Sequence, residues 1–362
     1  MPSRVLFALH DAGGTVPPVL ALAAAFVARG HQVVVLGQPS VAERATAAGS
    51  RFVPFSTLPD YAPDVPLEEQ LELTVPALSG REVGDDLLRA AAEHAADLVV
   101  VDANLAGALA AAETLDRPSA VLLHSMYATF VRTWFADLWP PLGQIIDETR
   151  AVYGVAPAGS WAGLFVAHDR LLSVVPAEFD APVDDPPPNL RHHGFLVPPP
   201  PTADPPGFPA GDGPAVLVGL STTDQRQGPL ARAIEEAVAQ LGGRAIVTTA
   251  GRPFVPHGLV LPQADVMVTH AGLGSVAAAL AAGVPLVCTP IGRDQPLNAE
   301  RVAAVGAGLA LGVNPPVRQI AAALAEVLGD SGYRAGAAAM ARASRRAGGA
   351  RAAVAELETL LR

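Results

Sequence analysis

Short apolar runs alternate along the chain with longer amphipathic ones, and the spacing predicts strand and helix in turn. Val5–Leu9 is a brief, fully apolar run that ends in the turn Asp11–Thr15. The stretch VPPVLALAAAFVARGH follows, with Pro17 and Pro18 where a first helical turn tolerates a missing N–H and Gly30 where a helix ends. Gln32–Leu36 is the next apolar run. Asp97–Val101 and Ala120–Leu123 repeat the signature on either side of the helical segment LAGALAAAETL. Fully apolar runs suit strands buried on both faces, so the alternation implies an α/β class with parallel sheet covered by helices.

Between Pro182 and Pro214 proline dominates, which favours extended, semi-rigid backbone over packed elements and predicts a domain linker. A fresh alternation begins beyond it. Ala215–Leu220, Arg244–Thr249, Val266–Thr269 and Pro285–Thr289 read as strands, separated by helices at Pro229–Leu241 and up to Ala282. From Val317 to Arg362 the chain is almost all helix-forming. Its 362 residues fit two α/β domains, expected at 1–205 and 206–362, the second carrying the C-terminal helices. The last helix is a candidate to cross back to the first domain.

Half of the residues are hydrophobic but only 5% are aromatic, so alanine, valine and leucine must build the core. Acidic residues outnumber basic ones by 35 to 24, and a net charge of -11 excludes a general binder of the nucleic-acid backbone. A lone cysteine, Cys288, excludes an internal disulfide and a cysteine-built zinc site, and its apolar setting predicts a core residue. The N-terminus lacks the pattern of a secretory leader, and every long apolar stretch is interrupted, so a cytoplasmic protein without membrane insertion is expected.

Candidate chemistry lies at two strand ends. Thr269–Ser275 reads THAGLGS, with glycines that admit close backbone approach and Ser275 placed to cap the following helix, whose N-terminus suits a phosphate. A dinucleotide fingerprint would need a third glycine and a position after the first strand, and this stretch has neither. His270 alone reads equally well as a hydrogen-bonded structural residue. The cluster Gly292–Arg293–Asp294–Gln295, at the end of the next strand, changes the weighing. Both turns fall at the carboxyl edge of one parallel sheet, where open α/β folds bind ligands.

The run THAGLGSVAAALAAGVPLVCTPIGRDQPLNAERV resembles the donor-binding signature of bacterial family 1 glycosyltransferases, which decorate natural products. FVPHGLVLPQADVMV, LVGLSTTDQRQGPL and the N-terminal RVLFALHDAGGTVPPVLALAAAFVARGHQVVVLG are similar to further segments of that family, in the same order. The resemblance implies a GT-B fold of two facing Rossmann-like domains, acceptor in the first and donor in the second. It implies inverting transfer of a hexose or deoxyhexose from a dTDP- or UDP-linked sugar to a hydrophobic aglycone, with no metal and no resident cofactor. It assigns His270, Gly272, Gly274 and Ser275 to the diphosphate, Asp294 and Gln295 to the sugar, Phe254 and Val255 to the base, and Ser221 and Thr222 to the nucleotide. Ala278 stands where many relatives carry a ribose-gripping glutamate, which is compatible with a deoxyribose nucleotide.

The family's usual base, a histidine after the first strand, is replaced by Thr15. The dyad aspartate is matched by Asp102. His10 or Asp11 are the nearest substitutes as base. Asp102 acting directly or through water, and an acceptor already nucleophilic, are the other two readings. The acceptor wall is expected from Thr15 and from the aromatic-rich run holding His124, Tyr127, Phe130, Trp134 and Trp139, with His124 a further candidate base. An amphipathic helix burying its rings is the competing reading of that run. Two rivals stand beside the transferase: a non-catalytic GT-B auxiliary protein, and a lipid-linked cell-wall glycosyltransferase. A homodimer is compatible with the sequence.

Overall fold

A computed structural model describes residues 2–60, 65, 74–75, 77–199, 203–221, 225–252 and 255–361, without the side chains of Trp134, Phe135 and Pro141. The chain forms two compact units. The first comprises Met1–Val175, Ala181–Pro198 and Ala347–Arg362, and the second Pro176–Asp180 and Pro199–Arg346.

The first unit is built on a parallel sheet of seven strands: β1 (Arg4–Leu9), β2 (Gln32–Gly37), β3 (Arg51–Pro54), β4 (Leu98–Asp102), β5 (Ser119–Leu123), β6 (Arg170–Ser173) and β7 (Leu190–His192). Their order is β3-β2-β1-β4-β5-β6-β7. β4 and β5 are buried along their whole length, as their unbroken apolar runs require. The helix Ala106–Ala112 is buried at every residue, and small alanine side chains permit that depth. The direction of strand addition reverses between β1 and β4, where Ala8 pairs with Val101. The turns beyond His10 and Asp102 therefore meet at a topological switch point.

The second unit has a parallel sheet of five strands, β8 (Ala215–Gly219), β9 (Arg244–Thr248), β10 (Val266–Thr269), β11 (Leu286–Cys288) and β12 (Gly308–Ala310), in the order β12-β11-β10-β8-β9. Here the switch point lies between β8 and β10, with Gly219 opposite Thr269. Cys288 is fully buried, and burial pushes its thiol up to about 12, which makes it an inert core residue.

Four strands escape the sequence pattern: β3, β6, β7 and β12. Arg51 and Arg170 open two of them, and β7 lies inside the proline-rich run. Ala347–Arg362, placed on sequence with the second domain, belongs to the first unit. The cause is a break at Gly348 and Gly349, whose φ values of +84° and +60° stop the helix Ser331–Ala347 and start Gly349–Leu357 in a new direction. The Gly349 amide donates to the His193 carbonyl at 2.8 Å. Val354 and Leu357 are fully buried. Glu356 accepts from Arg170 Nε (2.8 Å) and Arg191 Nε (3.1 Å), while Glu358 accepts from Arg29 Nε (2.7 Å) and lies 2.9 Å from His31 Nε2.

Candidate active site

In the second unit, the residues expected at the donor gather at the carboxyl edge of β8, β10 and β11. Ser221 follows β8, His270 follows β10, and the Gly292–Gln295 turn follows β11. His270 is only 9% exposed, and its Nδ1 lies 3.2 Å from the Gly219 carbonyl. A carbonyl only accepts, so Nδ1 carries the proton of the neutral ring. Burial, against the pull of that carbonyl, lowers the imidazole to about 4. At neutral pH Nε2 therefore presents a lone pair.

That lone pair faces Gly272. A Cβ at Gly272 would sit 2.6 Å from Nε2, so only glycine leaves the ring its place. Gly274 differs: a Cβ there would meet nothing within 4 Å. Gly272 is the N-cap of the helix Leu273–Ala282, with no side-chain cap. Ser275, expected on sequence to cap, lies one turn inside, its amide donating to the Gly272 carbonyl at 3.0 Å.

The β11 turn is braced by its own side chains. Gln295 accepts from the amides of Ile291 (2.8 Å) and Gly292 (3.1 Å), and its Nε2 donates to Gln225 Oε1 at 3.3 Å. Gln225 in turn donates to Ser221 Oγ at 3.0 Å. Asp294 is the N-cap of Gln295–Ala304 and accepts from Asn298 Nδ2 at 2.8 Å. The same Asn298 amide reaches the carbonyl of Ala271 at 3.0 Å, and Ala271 holds a left-handed φ of +65°. Asn298 thus ties the His270 turn to Asp294, a role that spacing did not reveal. Gln225 and Gln227 were equally hidden; Gln227 clamps the Ser221 amide at 3.0 Å. Their only signal was the polar run TTDQRQG. Val255 is half-buried ahead of the short helix His257–Val260; Thr222 and Phe254 lie outside the described residues.

In the first unit, the β1–β4 switch point brings together His10, Asp102 and His124. All are largely buried, and His124 Nδ1 lies 3.3 Å from Asp102 Oδ1. That oxygen also accepts from the Asn104 amide at 2.8 Å. Among the described residues, Asp102 Oδ2 and His10 Nδ1 are buried with no hydrogen-bond partner. Burial lowers the His10 imidazole against the opposing charge of Asp102.

Two more of the expected residues are held by hydrogen bonds within this turn. Asp11, a candidate base, is an anchor: its carboxylate accepts from the Gly13 amide (2.9 Å), Ser40 Oγ (2.8 Å) and Arg44 Nη2 (2.7 Å). Those contacts leave it about one of its four lone-pair positions. Thr15, placed on the acceptor wall, is a latch whose hydroxyl donates to the His10 carbonyl at 2.5 Å and accepts from the Ala12 amide at 3.0 Å.

The aromatic run follows the competing reading. Tyr127 and Phe130 are buried in the core of the unit, because Trp161 and Phe165 from a later helix close over them. Trp161 carried no sequence signal. The Phe130 ring meets His124 edge-on, with centroids 6.3 Å apart, so this cluster backs the histidine. The Trp134 side chain lies outside the described residues. Among the described residues no cluster of metal-ligating side chains occurs, and no helix is long and apolar enough to cross a membrane.

Residues 235–358 match the family described as the erythromycin biosynthesis protein CIII-like C-terminal domain. The chain is 28% identical over 376 residues to 4'-demethylrebeccamycin synthase of Lentzea aerocolonigenes, covering 86% of this chain and 88% of that protein. Its fold is that of the kitacinnamycin glycotransferase (TM-score 0.84, 22% identity, 100% and 99% of the two chains). It is also that of the glycosyltransferase VinC, solved with dTDP (TM-score 0.75, 21% identity, 99% of each chain). The chain thus matches this family over its C-terminal part and shares the GT-B glycosyltransferase fold along its whole length.

Proposed function

We propose that the protein transfers a hexose or deoxyhexose from a nucleoside diphosphate sugar, dTDP- or UDP-linked, to a hydroxyl of a hydrophobic aglycone, with inversion at the anomeric carbon. The observation that carries the reading of the chemistry is the His124–Asp102 pair. Asp102 Oδ1 lies 3.3 Å from His124 Nδ1, and a proton held between them in the reacting complex would leave the lone pair on Nε2, the arrangement a general base needs. In this scheme the acceptor O–H proton moves to His124 Nε2 as the oxygen bonds to the anomeric carbon. The carbon–oxygen bond to the diphosphate breaks, and its electron pair leaves with the β-phosphate. Asp102 balances the imidazolium charge. The second unit holds the donor through the His270–Ser275 turn and the Asp294 side chain. No metal is needed in this scheme.

The test is turnover with dTDP- and UDP-sugars over an acceptor panel, comparing the wild type with His124→Gln, Asp102→Asn and His10→Gln. Loss of two to four orders of magnitude in kcat for the first two, with nucleotide affinity kept, is expected for a removed general base. Full activity of both variants on a hydroxyl acceptor refutes the assignment. Tight nucleotide binding by the wild type without turnover on any acceptor favours the auxiliary-protein reading.

A further inference from the structure

The neutral form of His270 offers the donor a lone pair where a diphosphate needs a hydrogen or a positive charge. The Gly219 carbonyl holds the ring proton on Nδ1, at 3.2 Å, so Nε2 cannot donate to a phosphate oxygen unless the ring gains a second proton. Three groups act on this imidazole: the Gly219 carbonyl from β8 through its hydrogen bond, and His257 from the short helix and Arg293 from the β11 turn through their charge. The last two oppose protonation, and Arg293 is the cation of the set.

Two features single Arg293 out. Its Nε is buried without a hydrogen-bond partner, and among the described residues its guanidinium has no carboxylate partner. Its backbone also stands at φ +58°, a left-handed conformation that costs a residue with a Cβ and recurs where function requires it. An orphaned guanidinium N–H in a turn that its neighbours brace so fully is a donor without its acceptor. Gln295 fixes the turn through two amides, and Gly292, beside Arg293, leaves open space on its Cβ side.

We propose that Arg293 supplies the positive charge that binds the donor's diphosphate and stabilises it as it leaves, so that His270 can stay neutral. This rests on the nucleoside diphosphate reading above. A guanidinium suits the task because it offers several N–H groups in one plane to phosphate oxygens and keeps its charge at any working pH. His270 then acts by shape, its lone pair accepting from water or a sugar hydroxyl. An anionic substituent on the sugar is the other source of the same chemistry, and sugar-free probes separate the two.

The experiment is calorimetric titration of the wild type, Arg293→Met and Arg293→Lys with dTDP, UDP, thymidine and inorganic pyrophosphate. Titrations run at pH 6, 7 and 8 in two buffers of different ionisation enthalpy. The expected result is binding of dTDP or UDP by the wild type without proton uptake. Arg293→Met should lose about tenfold or more in affinity for the diphosphates with thymidine unchanged, as removal of a charge-assisted contact implies. Arg293→Lys should recover part of it. Equal dTDP affinity in the wild type and Arg293→Met overturns the proposal and points to the sugar as the anion's source. Uptake of about one proton per wild-type nucleotide overturns it in favour of an imidazolium at His270. A wild type that binds no nucleoside diphosphate overturns the glycosyltransferase reading together with it.

Discussion

Replacing Gly272 by alanine adds one methyl group at a point where the structure has no space for it. The new Cβ would lie 2.6 Å from His270 Nε2 and 3.1 Å from Cε1, where ordinary van der Waals contact begins at 3.4 Å. The backbone there has φ -59°, which alanine adopts without strain, so the whole perturbation falls on the imidazole. The ring must retreat by most of an ångström, and its Nδ1 hydrogen bond to the Gly219 carbonyl is the contact that yields. Leaving that buried pair unmade costs about 1–3 kcal/mol, and a binding group misplaced by about 1 Å costs on the order of 100-fold in the reaction. Gly274→Ala is the internal control. Its Cβ meets no protein atom, and alanine is the better helix former by up to about 1 kcal/mol. Thermal melts, dTDP titration and kcat/KM on both variants make the test. Gly272→Ala should melt several degrees lower and lose on the order of 100-fold in kcat/KM. Gly274→Ala should melt no lower than the wild type; weaker dTDP binding by it would place its methyl beside the diphosphate. Unchanged stability and kcat/KM in Gly272→Ala would refute the placement of His270.

Acid should destabilise the fold over a defined window. Burial holds His270 and His168 at about 4, below the value of about 6.5 for an exposed imidazole, so the unfolded chain takes up protons first. Their contribution is complete above pH 6.5 and falls away towards pH 4, by roughly 3 kcal/mol for each histidine; urea midpoints that stay level from pH 7 to 5 would refute this. Asn298→Ala should cut nucleotide affinity and kcat together, since it frees both the Ala271 turn and Asp294; an effect on stability alone would make Asn298 purely structural. Deleting the residues after Ala347 should lower the melting temperature of the first unit, as it removes the fully buried Val354 and Leu357. Differential scanning calorimetry resolves that transition, and an unchanged profile would contradict the packing described.

Much of this was legible in the sequence because one kind of signal repeats. β1, β4, β5, β8 and β10 are apolar on both faces, so their runs stand out, and the turns after them carry the chemistry wherever the sheet reverses direction. Edge strands such as β3 and β7 announce themselves poorly, since a strand with one exposed margin tolerates Arg51 or His192. Asp11 and Asp102 look alike on the chain, both acids at a strand end. What separates them is Arg44 and Ser40, which arrive from another helical segment and occupy one carboxylate while leaving an oxygen of the other without a partner. The aromatic run around Phe130 had two readings, and only the later Trp161 and Phe165 decide between them. Gly348 and Gly349 mark a helix break plainly enough, but a periodic apolar face does not name the surface it will cover.

The returning tail changes where such an enzyme can be cut. A chimera joined to a second parent at a single crossover in the linker would import a foreign tail. The first unit would then keep Arg29, His31, Arg170 and Arg191 while losing Glu356 and Glu358, and four side chains selected for carboxylates would meet whatever the new parent brings. Two crossovers, one near Pro199 and one near Arg346, treat the donor half as a cassette inserted into a host that keeps both of its own ends.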